Sequence, residues 1–273
     1  MATWMDQVSR GWLMYELTDS ALQLGLVRGV QALPVLLLSP VAGSVADRYP
    51  RKMQVIIAQV LDGLMFATIA LLIITGRIRP WHVYVTAFAM AIVQTFQQPS
   101  RAAMVADAVP SSHLINAIGL NSVVFNVARS TGPALAGLLI AGYGTAGAYI
   151  AQAAFYLFAT VWTAQLRLEQ RSADGTRRHS THGASFAQSI LEGWKFSWKN
   201  ETVRTGLLIT MFASLLIIPF TTLLPVFARD LLGIGATGQG LLLTAMGVGA
   251  LCSAVLIASL GDQLLGARLC WAA

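Results

Sequence analysis

The sequence predicts an all-α, polytopic helical membrane protein. Three observations carry this. Of 273 residues, 56% are apolar and 11% charged, where a soluble domain carries about 25% charged residues. The mean hydropathy is +0.64. Apolar runs recur at roughly even intervals, each near the ~20 residues that a helix needs to cross the hydrocarbon core. Lipid supplies no hydrogen bonds to the backbone, so runs of this kind must be helices rather than open strands.

Residues 1–17 end in Trp12-Leu-Met-Tyr15, which reads as the close of a span. The segment is too short to cross and carries Asp6 and Arg10, so it is either an interfacial helix or a span whose first half is absent. Complete spans are expected at 21–45, 53–75, 81–104, 114–142, 146–166, 202–228 and 237–260. Trp81 and Trp198 stand where interfacial anchors do. The longest polar stretch, 168–200, divides an N-terminal bundle (1–167) from the start of a second one (201–273). Its first part, QRSADGTRRHSTHGAS, has loop composition. Its last part spaces Phe186, Ile190, Leu191, Trp194 and Trp198 near helical periodicity beside Lys195 and Lys199. Such a segment either lies on a leaflet or packs on protein.

Basic residues set the orientation. Arg48, Arg51 and Lys52 share a side with Arg167, Arg171, Arg177, Arg178, Lys195, Lys199 and Arg204, whereas the alternate gaps hold Arg77, Arg79 and Arg229. The richer side, with the central loop, is expected to face the cytoplasm.

The same pattern excludes other classes. The net charge of +6 is scattered through short gaps instead of forming an aromatic-laced basic face, which argues against nucleic acid. Cys252, Cys270 and the four histidines lack ligand spacing, so no metal site is expected. No phosphate-cradling glycine loop ends in Lys-Ser or Lys-Thr, and no GxSxG occurs, so neither an enzyme nor a bound cofactor is expected. The opening MATWMDQVSR lacks the basic region and apolar core of a cleavable signal peptide.

The most informative segment is Gly43-Ser-Val-Ala-Asp47-Arg48-Tyr-Pro-Arg51-Lys52. Its G-x-x-x-D-R-x-x-R-K spacing, between two spans, resembles the signature loop after the second helix of the major facilitator superfamily. That family usually has glycine where Pro50 stands. In physical terms Gly43 permits close helix approach and Asp47 caps or pairs near a helix end. Arg129-Ser-Thr-Gly132-Pro133-Ala-Leu-Ala-Gly137 resembles the fifth-helix motif of the family's antiporters and exporters. There Pro133 kinks the helix, and Gly132 and Gly137 thin it for packing. Trp12 to Ser20 resembles the outer end of the family's first helix, and Phe96-Gln-Gln-Pro99-Ser-Arg101 the fourth helix of the branch that includes siderophore and macrolide exporters. Gly261-Asp262 to Arg268 resembles a degraded second signature loop, as two related bundles would give.

The resemblance implies a bacterial inner-membrane, multi-pass transporter of two six-helix bundles, of which this chain would hold the first and the start of the second. It implies proton-coupled efflux of a small amphiphilic or siderophore-like substrate by a monomer. An importer of the same fold and a non-transporting truncated remnant remain open alternatives.

Charges inside apolar runs are functional candidates, because each is costly in lipid. Asp6 and Arg10 lie one turn apart and can pair. Arg28 can reach Asp62 or Asp6. Asp6 and Asp62 are candidate proton carriers, since desolvation and a nearby guanidinium act oppositely on a carboxyl's affinity for a proton; the alternative for each is a satisfied ion pair. Asp107 beside Arg48 is a candidate cytoplasmic lock, or an interfacial charge without special duty. Gly25 with Gly29, and Ala245, Gly249 and Ser253, have the four-residue spacing of helix-packing faces.

Overall fold

In a computed structural model describing residues 1–166 and 197–264, helix boundaries fall at the turn residues of the sequence. Helix α1 (Ala2–Thr18) stops at Asp19, whose left-handed φ of 46° lets its N–H bond to Tyr15 O at 2.9 Å. Helix α2 (Ala21–Arg48) ends at Tyr49, because the residue before Pro50 is pushed out of the helical region. Helix α3 (Arg51–Ile74) runs to Gly76, with φ 65°. Helix α4 (Pro80–Asp107) starts on a proline, where a missing N–H costs nothing, and Arg79 N–H donates to His82 Nδ1 at 3.0 Å.

Helix α5 (Leu114–Gln165) is interrupted at Gly144, whose φ of 71° and ψ of 176° only glycine adopts readily. Its two limbs run in opposite directions against α1. In the first, Thr131 reaches Met1 and Gly132 lies against Trp4, while Ala136 and Ile140 join Val8 and Trp12 in one apolar cluster. In the second the order reverses: Thr145 meets Glu16, Gln152 meets Ser9 and Tyr156 meets Thr3. The expected spans 114–142 and 146–166 are therefore two helices joined by one residue.

After residue 197 come α6 (Glu201–Val226), a π-helical turn (Phe227–Leu231) and α7 (Gly235–Leu264). The chain groups into two compact units, residues 1–167 with 223–273, and residues 168–222. In the first, α5 pairs extensively with α1, α3 and α7, and α2 pairs with α4. The described part of the second is helical and exposes Leu207, Ile209, Phe212, Leu215 and Leu216.

By length and composition, 21–39, 51–74, 114–165 and 201–231 can cross a membrane. The exposure of Leu36, Leu37, Leu64, Leu71, Val85 and Leu157 is intelligible only where lipid is the solvent. Helix α1 is not interfacial: Met5, Val8, Leu13 and Met14 are buried, and the core gathers around it with Phe66, Ile69, Val83 and Tyr149. The segment 168–196 and the degraded repeat after Leu264 lie outside the described residues.

Candidate functional site

The interior of the first unit holds a polar cluster built by α1, α3, α4 and the second limb of α5. Asp6 and Arg10 face inward from successive turns of α1 and form a buried pair, Arg10 Nε donating to Asp6 Oδ2 at 2.9 Å. Arg10 also donates to Val83 O at 3.3 Å and Thr86 Oγ1 at 3.1 Å, so α1 is hydrogen-bonded to α4. Gln152 donates to Ser9 Oγ at 2.9 Å, and Thr3 and Tyr156 share a hydrogen bond of 3.2 Å. The predicted pairing of Asp6 with Arg10 is present, yet Asp6 Oδ1 has no partner.

Asp62 on α3 is fully buried, and among the described residues neither of its carboxyl oxygens makes a hydrogen bond of normal geometry, the Tyr156 hydroxyl being the hydrogen-bonding group that reaches it. Tyr156, Asp6 and Arg10 are the polar groups whose fields reach it. The rings of Phe66 and Tyr156 meet nearby at a tilt of 35°, with centroids 5.5 Å apart. Arg28 pairs with neither carboxylate. It donates instead to Gln31 Oε1 on its own helix, at 3.4 Å. The expected Arg28 bridge is thereby corrected: Arg10 already occupies Asp6, and Asp62 forms no ion pair among the described residues.

At the end of the bundle bearing the basic loop, Arg51 Nη1 donates to Asp107 Oδ2 at 2.6 Å. Sequence reasoning offered Arg48 as a partner of Asp107, and its side chain lies outside the described residues; Arg51, at the start of α3, does reach Asp107. Lys52 Nζ donates to Ala164 O at 2.8 Å and Leu166 O at 2.7 Å, placing its cation on the negative end of α5. Nothing in the sequence marked Gln54. Its amide donates to Tyr49 O at 2.9 Å and its oxygen accepts from Ser100 Oγ at 2.8 Å, joining the close of α2 to α4. The side chains of Asp47 and Arg48 lie outside the described residues.

Gly43 is not a point of close helix approach: a Cβ there would meet nothing within 4 Å among the described residues, and the same holds for Gly25, Gly29 and Gly249. Close approach occurs in the other motif. A Cβ at Gly137 would stand 2.7 Å from Ala236 O, and one at Gly240 would stand 2.6 Å from Pro133 O. Backbone thus meets backbone between α5 and α7. Gly132 packs as tightly on α1, where an added Cβ would stand 2.7 Å from the Cβ of Trp4. Arg129, two turns earlier than Ala136, makes no hydrogen bond or ion pair among the described residues.

At the opposite end, four residues to which the sequence assigned no shared role converge. Arg229 Nη1 donates to Asp19 Oδ1 at 2.7 Å, its guanidinium stands 5.3 Å from the centre of the Tyr15 ring, and the Tyr15 hydroxyl donates to Asp230 Oδ2. The π-helical turn presents Arg229 and Asp230 together.

Comparison with known proteins agrees with this architecture. The family model described as "Transmembrane secretion effector" matches residues 1–273. The staphyloferrin A transporter of Staphylococcus aureus is 24% identical over 259 residues, covering 94% of this chain and 63% of the relative. The MFS-type transporter YfiS of Bacillus subtilis is 28% identical, with 92% and 61% covered. The multidrug efflux pump Tap of Mycolicibacterium fortuitum is 26% identical, with 89% and 60% covered. The chain thus spans about three fifths of the length of these relatives.

Proposed function

Because this chain belongs to the transmembrane secretion effector family of the major facilitator superfamily, we propose that it serves in secondary active efflux of a small amphiphilic or siderophore-like molecule, driven by entry of protons. The observation that carries the proposal is Asp62, a buried carboxyl that no cation pairs among the described residues and that makes no hydrogen bond of normal geometry there, beside an already committed Asp6–Arg10 pair.

A charged carboxylate in such surroundings has lost its hydration without replacement, which is costly. Binding a proton removes the charge. A conformation that wets Asp62 restores hydration and allows the proton to leave. A carboxyl that alternates between these states exchanges protons between the two sides as the protein rocks about a midplane site. Asp6 and Arg10 hold a fixed dipole beside it, and Arg10 joins α1 to α4, so a shift of either helix alters the field at Asp62. The basic loop faces the cytoplasm in this reading, and Arg51–Asp107 is the contact that closes that side. The names of the relatives, a siderophore transporter and multidrug efflux pumps, support the substrate class.

The test is accumulation of a fluorescent amphiphile in an efflux-deficient host expressing the full-length protein or its Asp62→Asn form. Lower accumulation that a protonophore abolishes, and that Asp62→Asn weakens at least tenfold, is expected. Undiminished efflux by Asp62→Asn removes Asp62 from the coupling path. Uptake by the native protein in intact cells, or export from everted vesicles, reverses the direction.

A further inference from the structure

Between α2 and α4 lies a cavity of about 360 Å³, within the ~300–1,000 Å³ that small ligands occupy. It sits toward the end of the bundle that carries the Arg51–Asp107 contact, because its lining comes from the last turns of α2 and the second half of α4. Helix α2 contributes Val35, Ser39 and Gly43, and α4 contributes Gln94, Gln98 and Pro99. Among the described residues, no Asp, Glu, Lys, Arg or His lines it.

Its polar groups sort into spent and free. The Ser39 hydroxyl donates to Val35 O, and Thr95 Oγ1 donates to Ala91 O at 2.7 Å, each within its own helix. The side-chain amides of Gln94 and Gln98, one helical turn apart, make no hydrogen bond among the described residues. Pro99 has no N–H, so the Thr95 carbonyl one turn earlier lacks its usual helical donor. Two amides and a carbonyl therefore offer donors and acceptors into one space. The wall at Gly43 stands open, since a Cβ there touches nothing within 4 Å.

We propose that this cavity is the subsite that first takes up substrate, and that it selects uncharged amphiphiles carrying amide, ester or hydroxyl groups. Gln94 and Gln98 hold the polar groups while Val35 and Pro99 cover the apolar body. A formally charged group would surrender hydration here with no counter-charge among the described lining residues to meet it. The place of the subsite in a transport cycle rests on the efflux reading above; its ligand chemistry rests on the cavity alone.

The test uses the full-length protein in lipid nanodiscs with two probes of related ring system, uncharged N-phenyl-1-naphthylamine and anionic 8-anilinonaphthalene-1-sulfonate. Saturable fluorescence of the uncharged probe is expected. Gln94→Leu combined with Gln98→Leu removes the amides, and Gly43→Leu fills the space. Each should weaken its Kd at least tenfold and leave the anionic probe unaffected. If the double variant aggregates on size exclusion, Gln98→Leu alone replaces it, with the same expectation. No saturable binding, a Kd within twofold of native in the variants, or loss confined to the anionic probe would overturn the proposal. Efflux of the uncharged probe is measured in parallel. Efflux with variant-insensitive binding removes the subsite and leaves the transport reading; variant-sensitive binding without efflux does the reverse.

Discussion

Arg229 Nη1 donates to Asp19 Oδ1 across 2.7 Å and 210 residues of sequence, tying the close of α1 to the π-helical turn that follows α6. The two side chains are 41% and 71% exposed. Exposed pairs of this kind contribute about 0–1 kcal/mol. The contact therefore sets the position of α1's end more than it holds the protein together.

Asp19→Asn should accordingly lower stability by no more than about 1 kcal/mol. A double-mutant cycle with Arg229→Gln, followed by thermal unfolding in one detergent, should return a coupling of similar size. The exchange Asp19→Arg with Arg229→Asp should recover most of it. Coupling beyond about 2 kcal/mol would mean that the pair is shielded from solvent, contrary to its exposure.

The Asp6–Arg10 pair should behave differently, because Arg10 is 3% and Asp6 8% exposed. Arg10→Met leaves a buried carboxylate unpartnered, which costs about 3–5 kcal/mol. Removing both charges, with Asp6→Asn added, should cost clearly less than Arg10→Met alone. Thermal melting of the three forms decides this, and equal losses for the single and double variants would contradict it.

Glycine substitutions should divide by location. Gly137→Leu and Gly240→Leu each drive a side chain into backbone less than 3 Å away, and overpacking of this kind costs about 1–3 kcal/mol or more. Gly43→Ala meets open space and trades a poor helix former for a good one, so it should be neutral or stabilising by up to about 1 kcal/mol.

Arg51 and Asp107, 35% and 37% exposed, should matter to transport more than to folding. Asp107→Asn is expected to reduce efflux several-fold while changing stability by no more than about 1 kcal/mol. The exchange Arg51→Asp with Asp107→Arg should restore part of the rate. Full efflux by Asp107→Asn would show the contact to be incidental.

The helices were legible because lipid imposes one demand, a long apolar run, that a sequence states openly. Even the break between 142 and 146 could be placed, since Gly144 interrupts an otherwise continuous run. Partners were less legible. The pairing of Asp6 with Arg10 is fixed by one helical turn. Whether Arg28 reaches Asp62, or which arginine finds Asp107, depends on helix rotation, which a nearly uniform apolar surface does not encode. Gly43 and Gly137 are alike as letters, yet one faces open space and the other a backbone. Gln54 and Gln94 drew no notice, and Gln98 only as a letter of the fourth-helix resemblance, because a neutral amide breaks no pattern, and Asp19 and Arg229 are joined only through the folded chain.

The reversal at Gly144 joins two antiparallel helices through a single residue, leaving no connecting segment between them. A protease, an antibody or an inserted tag has nothing to grip at that point, and an insertion there must unwind one of the two helices. Sites for labels on the face opposite the basic loop must be sought elsewhere, as in the five-residue stretch 75–79 between α3 and α4.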